Sequence, residues 1–135
     1  MRLTDQPHKS GLAIDRVEVT AYKIPTDGPD GKEADGTLEW GSTTIVIVEA
    51  RAGNTTGLGY TYADAAAAKL IDSKLKSRVE GKDPFFVSSI WRDQMEAIRN
   101  TGRPGVGSLA VSAVDVALWD LKAKLLDLPL FLALD

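Results

Sequence analysis

The chain has no cysteine and a single histidine, His8, and these two shortages remove several common routes to chemistry. Without cysteine there is no thiolate and no disulfide framework, so nothing marks a secreted scaffold held by cross-links. His8 stands near the start without a ligand cluster around it, which leaves histidine metal sites and nucleophilic triads without a basis here. No apolar run is long enough to span a bilayer, and none follows a basic start as a cleaved signal would. A cytoplasmic location is therefore the default expectation. An excess of one charge is missing too: 16 basic and 19 acidic residues are interspersed, which gives no basic stripe for nucleic acid. What is present is 135 residues, 44% of them hydrophobic, enough to bury one core without staple or metal.

Read along the chain, residues 1–12 mix charge, proline and glycine without a period and read as a loose tail. Residues 14–24 alternate, with Val17, Val19 and Ala21 on one face and Arg16, Glu18 and Thr20 on the other, as in a strand with one wet face. Residues 25–40 carry Asp27, Asp30, Glu33, Asp35 and Glu39 among glycines, with neither helical nor strand period, in a stretch long for a connection. Their spacing is not that of a calcium loop, and solubility accounts for them. Residues 43–51 are rich in β-branched side chains, and Ala52-Gly53-Asn54-Thr55 supplies a turn into a return strand ending near Tyr62.

The second half is helical. Asp64 is suited to cap a helix over the alanine run 65–68, with Ala68, Ile71, Leu75 and Val79 as its buried stripe and Gly81 as its stop. Asp83 as N-cap and Pro84 at the first helical position predict a second helix, whose face is Val87, Ile90, Trp91, Gln94 and Ile98. After the turn 102–107 comes a third helix over 108–129. At about 100° per residue, Ala110, Val111, Val114, Ala117, Leu118, Leu121 and Leu125 form its main stripe. Trp119 and Leu126 fall on another face, bordered by Asp115 and Lys122: either Trp119 wedges into a neighbouring helix, or this face meets a partner. Asp120 and Lys124 read as a solvated helix pair. Strands first and helices after is an α+β pattern: a three-stranded antiparallel meander followed by a bundle of three or more helices.

The glycines carry weak signals. The turn 102–107 lacks the Lys-Ser/Thr of a phosphate loop and does not follow a strand, so its reading is structural. Gly57 and Gly59 suit a close backbone approach or a bulge at a strand end. Among the aromatics, Trp40 follows the long loop while Tyr60 and Tyr62 end the third strand. Together they either present apolar surface with hydrogen-bonding tips to a ligand or pack the sheet edge. No carboxylate constellation sits at strand ends, so no catalytic residue is expected in the chain itself.

The run Ser112-Ala113-Val114-Asp115-Val116-Ala117-Leu118-Trp119-Asp120-Leu121-Lys122-Ala123-Lys124, followed by Leu128-Pro129-Leu130, closely resembles the helix that closes the amino-terminal domain of the mandelate racemase and muconate lactonizing enzyme branch of the enolase superfamily. The opening strand, the long loop, Gly57-Leu58-Gly59 and Gly81-Lys82-Asp83-Pro84 fall in the order that family shows, so the resemblance spans residues 14–132. It implies a capping domain over residues 13–132 whose loops, here 26–40 and 60–64, close over a substrate at the mouth of a TIM barrel. That barrel, which is expected to be absent from this chain, would bring the proton-abstracting groups and a magnesium ion. The resemblance moves Trp40, Tyr60 and Tyr62 toward substrate specificity. Where many relatives have an acid after Gly-x-Gly this chain has Tyr60, which favours an aromatic wall over a polar contact. The expected role is enclosure of a small carboxylate substrate, with the chain inactive alone. The alternative is a free-standing module that binds a partner or a second copy through Trp119 and Leu126.

Overall fold

The computed structural model describes residues 10–29 and 31–134. His8 and most of the tail, together with Asp30, lie outside the described residues. Strand β1 (Arg16–Pro25) keeps the alternation its sequence dictates, burying Val17 and exposing Arg16, Glu18 and Thr20. A two-residue hairpin, β2 (Glu33–Ala34) with β3 (Glu39–Trp40), precedes β4 (Ser42–Ala52) and β5 (Thr55–Tyr62). The main sheet is an antiparallel meander in the order β1-β4-β5, with Val19 opposite Val48 and Val48 opposite Gly59. Its first strand starts at Arg16 because Ile14 is engaged elsewhere: its N–H donates to the Lys82 carbonyl at 2.8 Å, and its own carbonyl accepts from Gly81 at 2.9 Å.

The β2–β3 hairpin is absent from the periodicity of the loop because one side chain makes it. Asp35 Oδ1 accepts from the Thr37 N–H at 2.9 Å, the Thr37 hydroxyl at 2.6 Å and the Leu38 N–H at 3.0 Å, and Gly36 takes a φ of +87° to close the turn. These bonds, the Thr37 hydroxyl first, hold the Asp35 carboxyl below its ordinary range.

Asp64 caps α1 (Ala65–Leu70), accepting from the Ala66 N–H at 2.8 Å. The helix runs on through a π-helical segment, Ile71–Leu75, into α2 (Lys76–Val79). Its buried stripe is Ala67, Ile71, Leu75 and Val79, not Ala68, which is half-buried. A spacing of four drifts by about 40° per step on an ordinary α-helix. The π segment fits more residues into a turn and takes that drift out, so one straight stripe faces the core.

Helix α3 (Val87–Ala97) starts later than Asp83 and Pro84 suggest, because Asp83 closes a turn instead. Its Oδ1 accepts from Phe85 and its carbonyl from Phe86, while Oδ2 accepts from the N–H and hydroxyl of Ser10. Val87, Ile90, Gln94 and Ile98 are buried, whereas Trp91 is 42% exposed and leaves the predicted face. Gln94 is fully enclosed and finds no hydrogen-bond partner for either amide atom among the described residues.

Helix α4 (Val106–Leu125) buries the predicted stripe through Leu121 and half-buries Leu125. It ends without glycine: Asp127, at φ +54°, donates to the Lys124 carbonyl and Leu128 to that of Ala123, a Schellman stop. A short α5 (Leu130–Ala133) follows. Among the described residues, no helix is long and apolar enough to cross a membrane. Gly107 is structural, since a Cβ there would stand 2.3 Å from the Gly102 carbonyl oxygen.

The seam between β5 and α4 is a close contact of backbone on backbone. A Cβ on Gly57 would lie 2.1 Å from the Ala117 carbonyl oxygen, and one on Gly59 2.1 Å from that of Ala113, so strand backbone rests on helix backbone. Asp120 and Lys124 form the expected helix pair, with Lys124 exposed, and in addition reach β5. Asp120 Oδ2 accepts from the Leu58 N–H at 2.7 Å, Lys124 Nζ donates to the Thr56 carbonyl at 3.0 Å, and the two side chains meet at 2.6 Å.

Candidate functional site

The meander brings the end of β5 back beside the start of β4, and the hairpin delivers Trp40 to the same place. Trp40, Ser42, Thr43, Thr44, Tyr62, Ala63 and Asp64 line a shallow cleft of about 390 Å³ there. Hydrogen bonds tie its surroundings together: Thr26 donates its N–H to the Gly41 carbonyl at 2.9 Å and its hydroxyl to that of Trp40 at 3.2 Å, and Ala63 donates to the Thr44 carbonyl at 3.2 Å. Trp40 is half-buried, while Tyr62 is 61% exposed.

Two of the three aromatic candidates thus share one cleft. Tyr60 does not line it; its ring meets that of Tyr62 edge-on, with centroids 6.2 Å apart, and stands next along the outward sheet face. Such a pair holds the Tyr62 ring upright without covering it. Thr43, Thr44 and Asp64 carry no such signal by themselves, because their residue types serve equally well in a strand and a helix cap; the meander places them around the cleft.

The cleft combines the hydroxyls of Ser42, Thr43 and Thr44 and the Asp64 carboxylate with the aromatic rings of Trp40 and Tyr62. Among the described residues no group of three histidine, cysteine or acidic side chains converges to hold a metal ion. The acids of the loop remain apart, and Asp30 lies outside the described residues. A larger recess, about 640 Å³, opens between residues 11–13 and 81–90. Its charges are already engaged, Lys82 with Asp93 at 3.1 Å and Asp83 with Ser10 and Phe85.

The face of α4 away from the sheet is mixed. Trp119 is half-buried against the core of its own domain, and Lys122 Nζ of the same helix lies 4.7 Å from its ring centroid. Leu126 is 45% exposed, and Phe131 on α5 is 71% exposed. Asp115, on the same helix, is partly buried, and desolvation raises its carboxyl above the ordinary range.

Comparison with known proteins gives a consistent result. Residues 18–134 match the family described as Mandelate racemase / muconate lactonizing enzyme, N-terminal domain. The fold superposes on the crystal structure of a mandelate racemase/muconate lactonizing enzyme-like protein from Rubrobacter xylanophilus with a TM-score of 0.81 at 54% identity, over 87% of this chain and 32% of that one. It superposes on L-talarate/galactarate dehydratase from Salmonella typhimurium LT2, liganded with Mg and L-lyxarohydroxamate, with a TM-score of 0.75 at 26% identity, over 96% of this chain and 35% of that one. The sequence is 36% identical over 118 residues to the 3,6-anhydro-alpha-L-galactonate cycloisomerase of Streptomyces coelicolor, covering 81% of this chain and 31% of the relative. The chain therefore spans about a third of the length of these relatives. By the breadth of the family match and the shared α+β topology, the chain belongs to the mandelate racemase/muconate lactonizing enzyme family of the enolase superfamily, as an N-terminal capping domain.

Proposed function

We propose that this domain encloses and selects a small carboxylate substrate for an enzyme that removes the proton beside the carboxylate, as a racemase, an acid-sugar dehydratase or a cycloisomerase. The observation that carries the reading is the shared cleft, with Trp40 from the loop hairpin and Tyr62 from the end of β5 on its walls. Trp40, Tyr60 and Tyr62 are the specificity residues in this account: Trp40 and Tyr62 as apolar walls with polar tips, Tyr60 as the prop for Tyr62. The names of the relatives, a cycloisomerase and a dehydratase of sugar acids, support an acid-sugar substrate.

In this proposal the domain comprises residues 13–132, and the catalytic barrel is separate from it and brings the base. A magnesium ion there would stabilise the charge that develops once the proton leaves. In this reading the domain's own contribution is to bind, orient and exclude water. A cytoplasmic setting belongs to the same reading, since nothing in the domain calls for disulfides.

The test is complementation. Mixed with a magnesium-loaded barrel fragment of the Rubrobacter xylanophilus protein, the chain is expected to raise proton exchange on an acid-sugar carboxylate, and a Trp40→Ala variant to raise it less. Association of the two halves without any gain in exchange overturns the proposal. The apolar side of Leu126 and Phe131 supports a second reading, a module that self-associates through the Trp119/Leu126 face. A sedimentation coefficient independent of concentration would remove it.

A further inference from the structure

β5 is an edge strand of the main sheet, and among the described residues the side-chain hydrogen bonds to its outer edge come from Asp120 and Lys124 of α4. We infer that these two residues form a clasp that positions the cleft-bearing end of β5, so that Asp120 and Lys124, which touch no part of the cleft, determine where Tyr60 and Tyr62 stand. This inference rests on the reading of the cleft as a ligand site.

Gly57 and Gly59 are the two positions at which β5 meets the α4 backbone, with a Cβ excluded at both. Any slip of the strand brings a side chain into one of those positions: one residue brings Leu58, two bring Thr55 or Thr61. The glycines therefore allow a single register. They do not stop the strand from lifting off the helix, because a glycine makes little side-chain contact of its own. The clasp does. Asp120 holds the Leu58 N–H with a charge-assisted bond, and Lys124 holds the Thr56 carbonyl two residues earlier, the bonds flanking Gly57. The mutual contact of the two side chains at 2.6 Å joins these bonds into one unit. Tyr60 and Tyr62 follow Leu58 by two and four residues on the same outward face, so a displacement at Leu58 is carried to their rings.

The other edge has a matching arrangement that serves as an internal control. Glu80 Oε1 accepts from the Val17 N–H of β1 at 2.9 Å and lies 3.7 Å from Lys76. It is remote in sequence and sheet position from the two tyrosines, with β4 between.

The experiment is two-dimensional NMR on the 135-residue chain with Asp120→Ala, Asp120→Asn, Lys124→Met and Glu80→Gln, with circular dichroism to follow the fold. For Asp120→Ala the expected result is exchange of the Leu58 amide faster by about tenfold or more, with shifted Tyr60 and Tyr62 resonances and little change in β1. Asp120→Asn keeps an acceptor and is expected to restore part of the effect, which a loss of bulk stability would not do. Glu80→Gln should alter Val17 and leave both tyrosines in place. If Asp120→Ala does not fold, Asp120→Asn and Lys124→Met carry the same comparison. Unmoved tyrosine resonances in the folded variants, or changes spread evenly over the sheet, overturn the inference. No ligand enters these measurements, so a clasp that behaves as described beside a cleft that binds nothing would sink the proposed function alone.

Discussion

The seam between β5 and α4 and the segment from Thr26 to Trp40 lie on the same small domain and are built on opposite principles. In the seam, glycines let backbone touch backbone, and side chains of one element hold the peptide groups of the other. In the segment, residues 31–39 are all exposed, and the hairpin closes on bonds made by a single aspartate. The seam draws its stability from long-range packing, the segment from local turns, and local structure of that kind opens at low free-energy cost. Under the proposed function the domain uses both: a rigid ledge for one wall of the cleft and a separately adjustable arm for the other.

The sharpest way to break the contrast is Gly59→Ala. Its methyl group has no room against the Ala113 carbonyl, and the obstacle is helix backbone, which cannot rotate aside. A loss of roughly 2–4 kcal/mol in urea unfolding is expected. A loss below about 0.5 kcal/mol would mean that the strand and helix separate easily and that the seam is no ledge.

A milder change should strengthen the same side. Asp127 ends α4 in a left-handed conformation that glycine adopts without penalty. Asp127→Gly is expected to raise stability by about 0.5–1 kcal/mol, the conformational gain exceeding the added freedom of the unfolded chain. A lower urea midpoint would show that the Asp127 side chain has a role beyond its backbone angle.

On the arm, Asp35→Ala removes the acceptor of three hydrogen bonds and is expected to leave global stability within about 0.5 kcal/mol. Its effect should appear in faster amide exchange at Thr37 and Leu38, with β4 and β5 unchanged. If the whole domain loses stability instead, the hairpin is part of the cooperative core and the contrast fails.

This division also decides what could be read from the sequence. The stripe of α4 and the alternation of β1 were legible because burial imposes a period, and Trp40 with Tyr62 followed from the meander, which returns the end of β5 to the start of β4. The hairpin was hidden because Asp35 is one more acid in an acidic loop until its hydrogen bonds are seen. The helical period points to Ala68 and not to Ala67, because a π-helical segment leaves no mark on the residues that form it. Asp83 has the residue type of a helix cap, and only the path of Ser10 and Phe85 shows it closing a turn. Asp120 and Lys124 have the spacing of a helix pair; their hold on β5 is a tertiary fact that no helical wheel contains.

The smallest expected effect falls on the outer side of the helix that forms the seam. Asp115 lies between the seam residues Ala113 and Ala117, partly buried and without a hydrogen bond or ion pair among the described residues, and burial raises its carboxyl above 3.8. In the window between that value and the raised one, the folded state binds more proton than the unfolded chain, so stability falls as pH rises through it. Above the window the penalty is present in full, and below it, with both states protonated, the penalty is gone. Asp115→Asn should therefore stabilise the domain at neutral pH by roughly a few tenths of a kcal/mol, a small figure because solvent screens a half-exposed group. The advantage should vanish as the pH is lowered below the ordinary carboxylate range, which paired urea titrations at neutral and acid pH can follow. An advantage that persists in acid would trace to packing, and a destabilised variant would mean that the carboxylate is bound by something on α4. Either result would make the outer face of the helix as built as its inner one.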